Sequence, residues 1–340
     1  MRVVVTGVAG LIGSWVAEAL CQREEIEKVF GLDDMSGGTW PNVNLIKSQK
    51  FVFDQMDCCN EGPVNELFAS QRPQLVVHCA AIAREGASSF QPLTIVKSNA
   101  LMSMNLLEKG IKWGMKKFVF FSSMAVMGDQ KPPFDEKMPR RPVDCYGISK
   151  AATEESIEAL AKVHGFEYSI IRPHNVFGPR VLTTDPYRGV VPIMMNRIMR
   201  REPIFVFGEG HKRAFSYIED SLPSFLKTIC TSKLKNDLAF IGGKEEITID
   251  QLVEEIISNF SEYPKPEIIR LPPRPLEVKD AFCSIEKSVK LLDYREKLGW
   301  KEGIKRTAEW IKKIGGQPWK KERLFLGGAN LPEPWREFQR

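Results

Sequence analysis

Tyr146 and Lys150 stand four residues apart in the stretch Tyr146-Gly147-Ile148-Ser149-Lys150. The surrounding sequence reads as helix, and residues at i and i+4 share a helix face. A phenol beside an ammonium can titrate below the ~10 of free tyrosine, because a cation favours phenolate. A tyrosine poised in that way is a general base for an alcohol. Taken alone, the pair reads better as a solvated surface couple. The rest of the chain adds a glycine-rich N-terminus and Ser123, which lies 23 residues before Tyr146.

Chemistry of this kind needs elements to hold it. Residues 3–6 form a short apolar run of the buried-strand type, followed by Gly7, Gly10 and Gly13 and an amphipathic stretch over 11–23. Strand, glycine turn and helix in that order make a dinucleotide fingerprint, with pyrophosphate facing the helix N-terminus. A second strand over 29–32 ends at Asp33, 20 residues after Gly13, where an acid can bond the ribose diol of adenosine. A carboxylate there repels a 2′-phosphate, so NAD is expected and NADP is not. Further strands are expected over 51–53, 75–78, 118–121 and 168–172, with a long helix over 92–108. His78 reads as a packed strand residue. This alternation argues for an α/β fold, a Rossmann-type doubly wound parallel sheet with helices on both faces. Gly7, Asp33, Ala80, Ser122, Ser123 and Pro173 all follow strand ends, where ligands of such sheets bind.

Composition narrows the partners. The 340 residues carry 43% hydrophobic and 27% charged side chains, normal for a globular protein. The net charge of +5 is dispersed, and no basic stripe suggests nucleic acid. Seven irregularly spaced cysteines fit thiols in a reducing cytoplasm better than a disulfide framework. The four histidines are scattered, and no metal site is expected. No signal peptide precedes the first strand, and no apolar run reaches the ~18 residues of a membrane span.

The glycine turn, Asp33, Ser123 and Tyr-x-x-x-Lys together resemble the extended short-chain dehydrogenase/reductase family, in particular its nucleotide-sugar epimerases and dehydratases of the UDP-glucose 4-epimerase type. The similarity covers almost the whole chain and includes 122–128, 172–180 and 213–220. It implies a cofactor site of Gly7, Gly10, Leu11, Ile12, Gly13, Asp33, Asp34, Ser36, Asp57, Cys58, Ala80, Ala81, Ala83, Asn99, Ser122, Tyr146, Lys150 and Pro173. Ser123, Tyr146 and Lys150 are implied as the catalytic set, with Ser123 on the sugar oxygen and Lys150 holding the nicotinamide ribose and lowering the Tyr146 pKa. Arg84, Asn175, Val190, Arg213 and Arg274 join Ser123 and Tyr146 as implied contacts of a nucleotide-diphosphate sugar. The family reaction is 4-epimerisation through a 4-keto sugar. Its dehydratases carry Asp-Glu just after the catalytic hydroxyl residue, where this chain has Met124-Ala125. An oxidase that stops at the keto sugar, and a 4,6-dehydratase, are the alternatives; a non-catalytic NAD-binding protein would lack Tyr146 or Lys150.

The expected organisation is an NAD-binding domain over 1–176, a substrate-binding domain over 177–340 of smaller mixed α/β type, and a strand-helix unit at about 213–230 returning to the first. Helices are expected over 248–260, 286–292 and 303–314, and the proline-rich 264–275 reads as an extended connection. The tail from 315 has no catalytic signature and is expected to wrap the surface or seal an interface. A homodimer is expected through 92–108 and 149–163, with Ile95, Leu101, Met102, Leu106, Ala152, Ile157 and Leu160 as candidate contacts, or else as core.

Overall fold

The computed structural model describes residues 1–320, 326 and 330–339. In chain order its strands are β1 (Arg2–Thr6), β2 (Lys28–Asp33), β3 (Phe51–Gln55), β4 (Leu75–His78), β5 (Lys117–Phe121), β6 (Glu167–Pro173), β7 (Val176–Phe177), β8 (Ile204–Phe207), β9 (Lys212–Ala214), β10 (Ser216–Tyr217), β11 (Asp237–Ile241), β12 (Glu246–Thr248), β13 (Ile268–Leu271) and β14 (Asp280–Ala281). Seven of them form one sheet in the order β11-β6-β5-β4-β1-β2-β3, every neighbouring pair parallel. The expected doubly wound sheet is therefore present. Its strands are apolar on both sides because helices cover both faces. Val3 and Val5 enter one core with Leu20 and Phe225, while Val4 enters the other with Phe68 and Phe118. Strand order reverses between β1 and β4, which opens a crevice at their carboxyl ends.

Two helices matter most for the site. Cys145–His164 carries Tyr146 and Lys150. Asp144 caps it, its carboxylate accepting from the Gly147 amide at 2.8 Å, and Gly165 at φ 74° ends it. The long helix at 92–112 is interrupted by a π turn at Val96–Leu101, which holds Asn99. A buried ion network ties the tyrosine helix to β6. Glu154 accepts from Arg172 at 2.9 and 2.6 Å and from Arg140 at 2.6 Å, and Arg172 and Glu154 are almost completely buried.

Two expectations change, and one left open is resolved for some residues. The strand returning to the main sheet is β11, which pairs with β6; β9 and β10 pair instead with β12, β14 and β7 outside that sheet. The helix Ile218–Cys230 does return, packing against Leu11–Cys21. The proline-rich connection contains β13, which pairs in parallel with β8, the five residues between Pro266 and Pro272 being long enough for a strand. Of the candidate dimer contacts, Ile95, Met102, Leu106 and Ile157 are core residues. Leu101 and Ala152 are exposed and Leu160 is half-buried.

Candidate active site

The glycine turn is built by close backbone contact. A Cβ on Gly13 would stand 2.1 Å from the Gly7 carbonyl oxygen, and one on Gly7 would stand 2.8 Å from the Ala80 amide nitrogen. Neither position tolerates a side chain, which leaves the bare backbone that a pyrophosphate needs. Asp33 follows at the end of β2, its carboxylate accepting from the amides of Ala9 at 3.0 Å and Met35 at 2.9 Å. Burial raises its carboxyl pKa against those two amide bonds. Asp34 and Ser36 are exposed beside it, and Asp57 turns back onto the Cys59 amide at 2.8 Å. The Cys58 thiol is packed in the core, so this residue can flank a groove only through its backbone.

A cavity of about 360 Å³ opens at the carboxyl ends of β4, β5 and β6. Its walls include Leu11, Ile12, Ala81, Ala83, Ser122, Ser123, Tyr146, Lys150, Pro173, Asn175, Val190, Arg213 and Arg274. Gly7, Gly10, Gly13, Asp33 and Ala80 continue the same crevice along β1 and β2. Residues expected from widely separated stretches thus meet at one sheet edge.

The electrostatics of the catalytic set differ from expectation. Burial pushes the Tyr146 phenol up to about 12, with Ser123 and Arg188 acting in the opposite direction. The Lys150 ammonium lies 6.0 Å from the Tyr146 ring centroid and donates to the Phe121 carbonyl at 2.9 Å. It does not lower the phenol in the ligand-free protein. Burial instead pulls Lys150 itself down to about 7. Tyr146 therefore stands as a phenol at neutral pH until more positive charge enters the cavity.

Two expected contacts are corrected by geometry. Arg84 is buried, and its Nε donates to Asp185 at 2.8 Å with the guanidinium over Tyr187. It braces the loop rather than facing the cavity. Asn99 also stays out of the cavity wall. Its amide accepts from the Ile82 amide at 2.9 Å and donates to the Ile82 carbonyl and Ser149 hydroxyl, so it locks the β4 loop to the tyrosine helix. Asn175 does reach the cavity, at an unusual φ of 31°, and donates to the Ala214 carbonyl at 2.8 Å. Arg213 donates to the carbonyls of Lys212, Val278 and Lys279, and Arg274 forks onto Glu277 at 2.6 and 3.1 Å. His78 is a packed strand residue bridging Thr6 and Ser103. His174 is fully buried against Phe240, and burial drives its ring down to about 3, so it carries no proton traffic.

Sequence reasoning missed several residues at the cavity. Arg188 lines it and makes no hydrogen bond or ion pair among the described residues; its Nη1 reaches the Gly37 side of the crevice. Glu85 lines the wall next to Ser123 and Asp144. Trp335 closes the far end, edge-on to Tyr187 and Phe90 and beside Arg274. The tail thus enters the cavity wall instead of wrapping the surface. Only Asp144 had a local signal, an Asp directly before a helical run. Among the described residues no group of three or more His, Cys, Asp or Glu is placed to hold a metal, and no helix is long and apolar enough to cross a membrane.

Comparison with known proteins agrees with this geometry. Residues 3–233 match the profile of the NAD dependent epimerase/dehydratase family. A UDP-glucuronate 4-epimerase of Thermodesulfobacterium geofontis is 30% identical over 317 residues, 91% of this chain and 95% of that protein. The crystal structure of a UDP-glucose 4-epimerase of Thermotoga maritima with UDP-glucose superposes with a TM-score of 0.83 at 32% identity, over 92% of this chain and 99% of that one. A UDP-glucuronic acid 4-epimerase of Bacillus cereus in complex with UDP-glucuronic acid and NAD gives a TM-score of 0.84 at 26% identity, over 92% and 100%.

Proposed function

The chain belongs to the NAD dependent epimerase/dehydratase family, and from that premise we propose that it is a nucleotide-sugar 4-epimerase acting on a UDP-hexose. The observation that carries the reading is the convergence of Ser123, Tyr146 and Lys150 in one cavity whose adjoining turn, Met124-Ala125, offers no proton-transfer group. The crevice fits NAD. The side-chain-free glycine turn suits the pyrophosphate, and the Asp33 carboxylate suits a ribose diol. Bound there, NAD would supply reversible hydride acceptance and added positive charge to the site.

The chain's own groups then do the rest. With that added charge, Tyr146 takes the proton of the sugar 4-hydroxyl and later returns one. Ser123 hydrogen-bonds the same oxygen and steadies it as it becomes a carbonyl. Lys150, fixed by the Phe121 carbonyl, presents its ammonium to the nicotinamide ribose. Arg213 and Arg274 keep the diphosphate in place while the keto sugar turns over between hydride removal and return. That turn would take place in the cavity of about 360 Å³ that has Asn175 and Val190 on its walls.

A 4,6-dehydratase is the second reading, favoured by the Glu85 carboxylate beside Ser123, which could serve an elimination. One experiment separates these readings and the oxidase. Purified protein without added cofactor is incubated with UDP-glucose, UDP-galactose and their N-acetyl analogues. Products are separated by anion exchange and absorbance is followed at 340 nm. Interconversion of a pair without net NADH is expected. Stoichiometric NADH with a keto product would make it an oxidase, and a product lighter by one water would make it a dehydratase.

We also propose a homodimer formed through the helices that carry Leu93, Leu101, Ile148 and Val163, large apolar side chains left exposed. All seven cysteines are free thiols, which supports the cytoplasm as its compartment.

A further inference from the structure

Glu85 has no role in the epimerisation described above, yet it lines the cavity beside Ser123. It lines the main cavity and also a side cavity of about 50 Å³ that opens beside Ser123. Its side chain is exposed to that space, and no hydrogen bond or ion pair to its carboxylate occurs among the described residues. The other acids nearby are already committed. Asp144 accepts from the Gly147 amide and the Ser88 hydroxyl, and Glu277 is forked by Arg274. Of the cations, Arg213 donates to three carbonyls and Arg274 to Glu277, each keeping further N–H donors for a phosphate. Among the described acids that line this end of the cavity, Glu85 is the one whose carboxylate carries no hydrogen bond or ion pair, and it shares the side cavity with Ser123. Burial and the Asp144 carboxylate both raise its carboxyl pKa against the pull of Arg213 and Arg274, so a further anion brought close would be opposed.

We infer that Glu85 sets the sugar class: its carboxylate accepts hydrogen bonds from the hydroxyls of an uncharged hexose and excludes a uronate. The side cavity has room for a hydroxymethyl group, whose hydroxyl is a donor, whereas the carboxylate that a uronate carries in its place brings only acceptors and a like charge. This rests on the nucleotide-sugar reading above, and it separates the two substrates named among the relatives.

The test is binding of UDP-glucose and of UDP-glucuronate to the NAD-loaded protein, by titration calorimetry, for the natural chain and for Glu85→Gln. UDP-glucose is expected to bind at least tenfold more tightly to the natural chain, and Glu85→Gln is expected to bring the two within about threefold. Equal or tighter binding of UDP-glucuronate to the natural chain would overturn the inference while leaving the nucleotide-sugar reading standing. So would a preference that survives unchanged in Glu85→Gln. If neither compound binds, the nucleotide-sugar reading itself fails, and this inference with it.

Discussion

At the scale of single residues, the site holds charge states that the ligand-free fold opposes. Lys150 illustrates the cost. Its pKa falls from 10.5 to about 7 because it is buried, so between those values the unfolded chain binds a proton that the folded chain does not. Stability therefore rises with pH through that window, and the full penalty is present below it. Replacing Lys150 by Met is expected to raise the melting temperature of the cofactor-free protein at pH 7 by about 3 °C, an advantage that shrinks towards pH 10.5. Scanning calorimetry across that range checks the sign. Arg188 offers a second case. Its guanidinium, without an ion pair among the described residues, lines the cavity, and both Asp33 and Tyr146 feel its charge. Arg188→Gln should weaken NAD retention by roughly tenfold through loss of a charge-assisted contact. The NAD released from purified, denatured protein measures this. Neither residue's behaviour was legible in sequence. Tyr-x-x-x-Lys announced the pair but not the burial that dominates it, and Arg188 belongs to no local motif.

At the scale of elements, the parallel sheet was legible because its strands are continuous apolar runs, and residues 75–78 agree to the residue. β11 was missed because its sequence, Asp237-Leu-Ala-Phe-Ile, lies in no motif and its place depends on β6. The split roles of Asn99 and Arg84 were also invisible, since each is decided by a partner far away in sequence. The Glu154–Arg172–Arg140 network is the element-scale device with the largest energetic stake. It joins the helix of Tyr146 to the strand leading to Pro173 and Asn175. Glu154→Ala leaves Arg172 charged and buried and should cost about 3–5 kcal/mol. Urea unfolding of the variant beside the natural chain reads that loss directly.

At the scale of the whole molecule, two surfaces carry predictions. A charge in the exposed apolar stripe, as in Leu101→Glu, should convert a dimer to a monomer without disturbing the fold, because Leu101 is 52% exposed. Light scattering after size exclusion gives the mass, and an unchanged mass would remove these helices as the interface. The second surface is internal. Trp335 packs with Phe90, Tyr187 and Phe207 across the end of the cavity. Trp335→Ala should raise the nucleotide-sugar KM by about tenfold while leaving NAD retention unchanged, since the crevice for NAD lies along β1 and β2. Steady-state kinetics paired with the NAD assay distinguish this from general unfolding.

The position of Trp335 in the wall also sets an order on the ribosome. The main sheet is complete once Ile241 has emerged, but this part of the substrate wall waits for a residue 94 positions later. At ordinary elongation speeds, roughly 5–20 s separate the two events. On the reading proposed above, the nascent chain in that interval would have its dinucleotide crevice built while the sugar cavity still lacked one side. Cofactor capture then precedes competence for sugar, and turnover becomes a report that translation has passed residue 335.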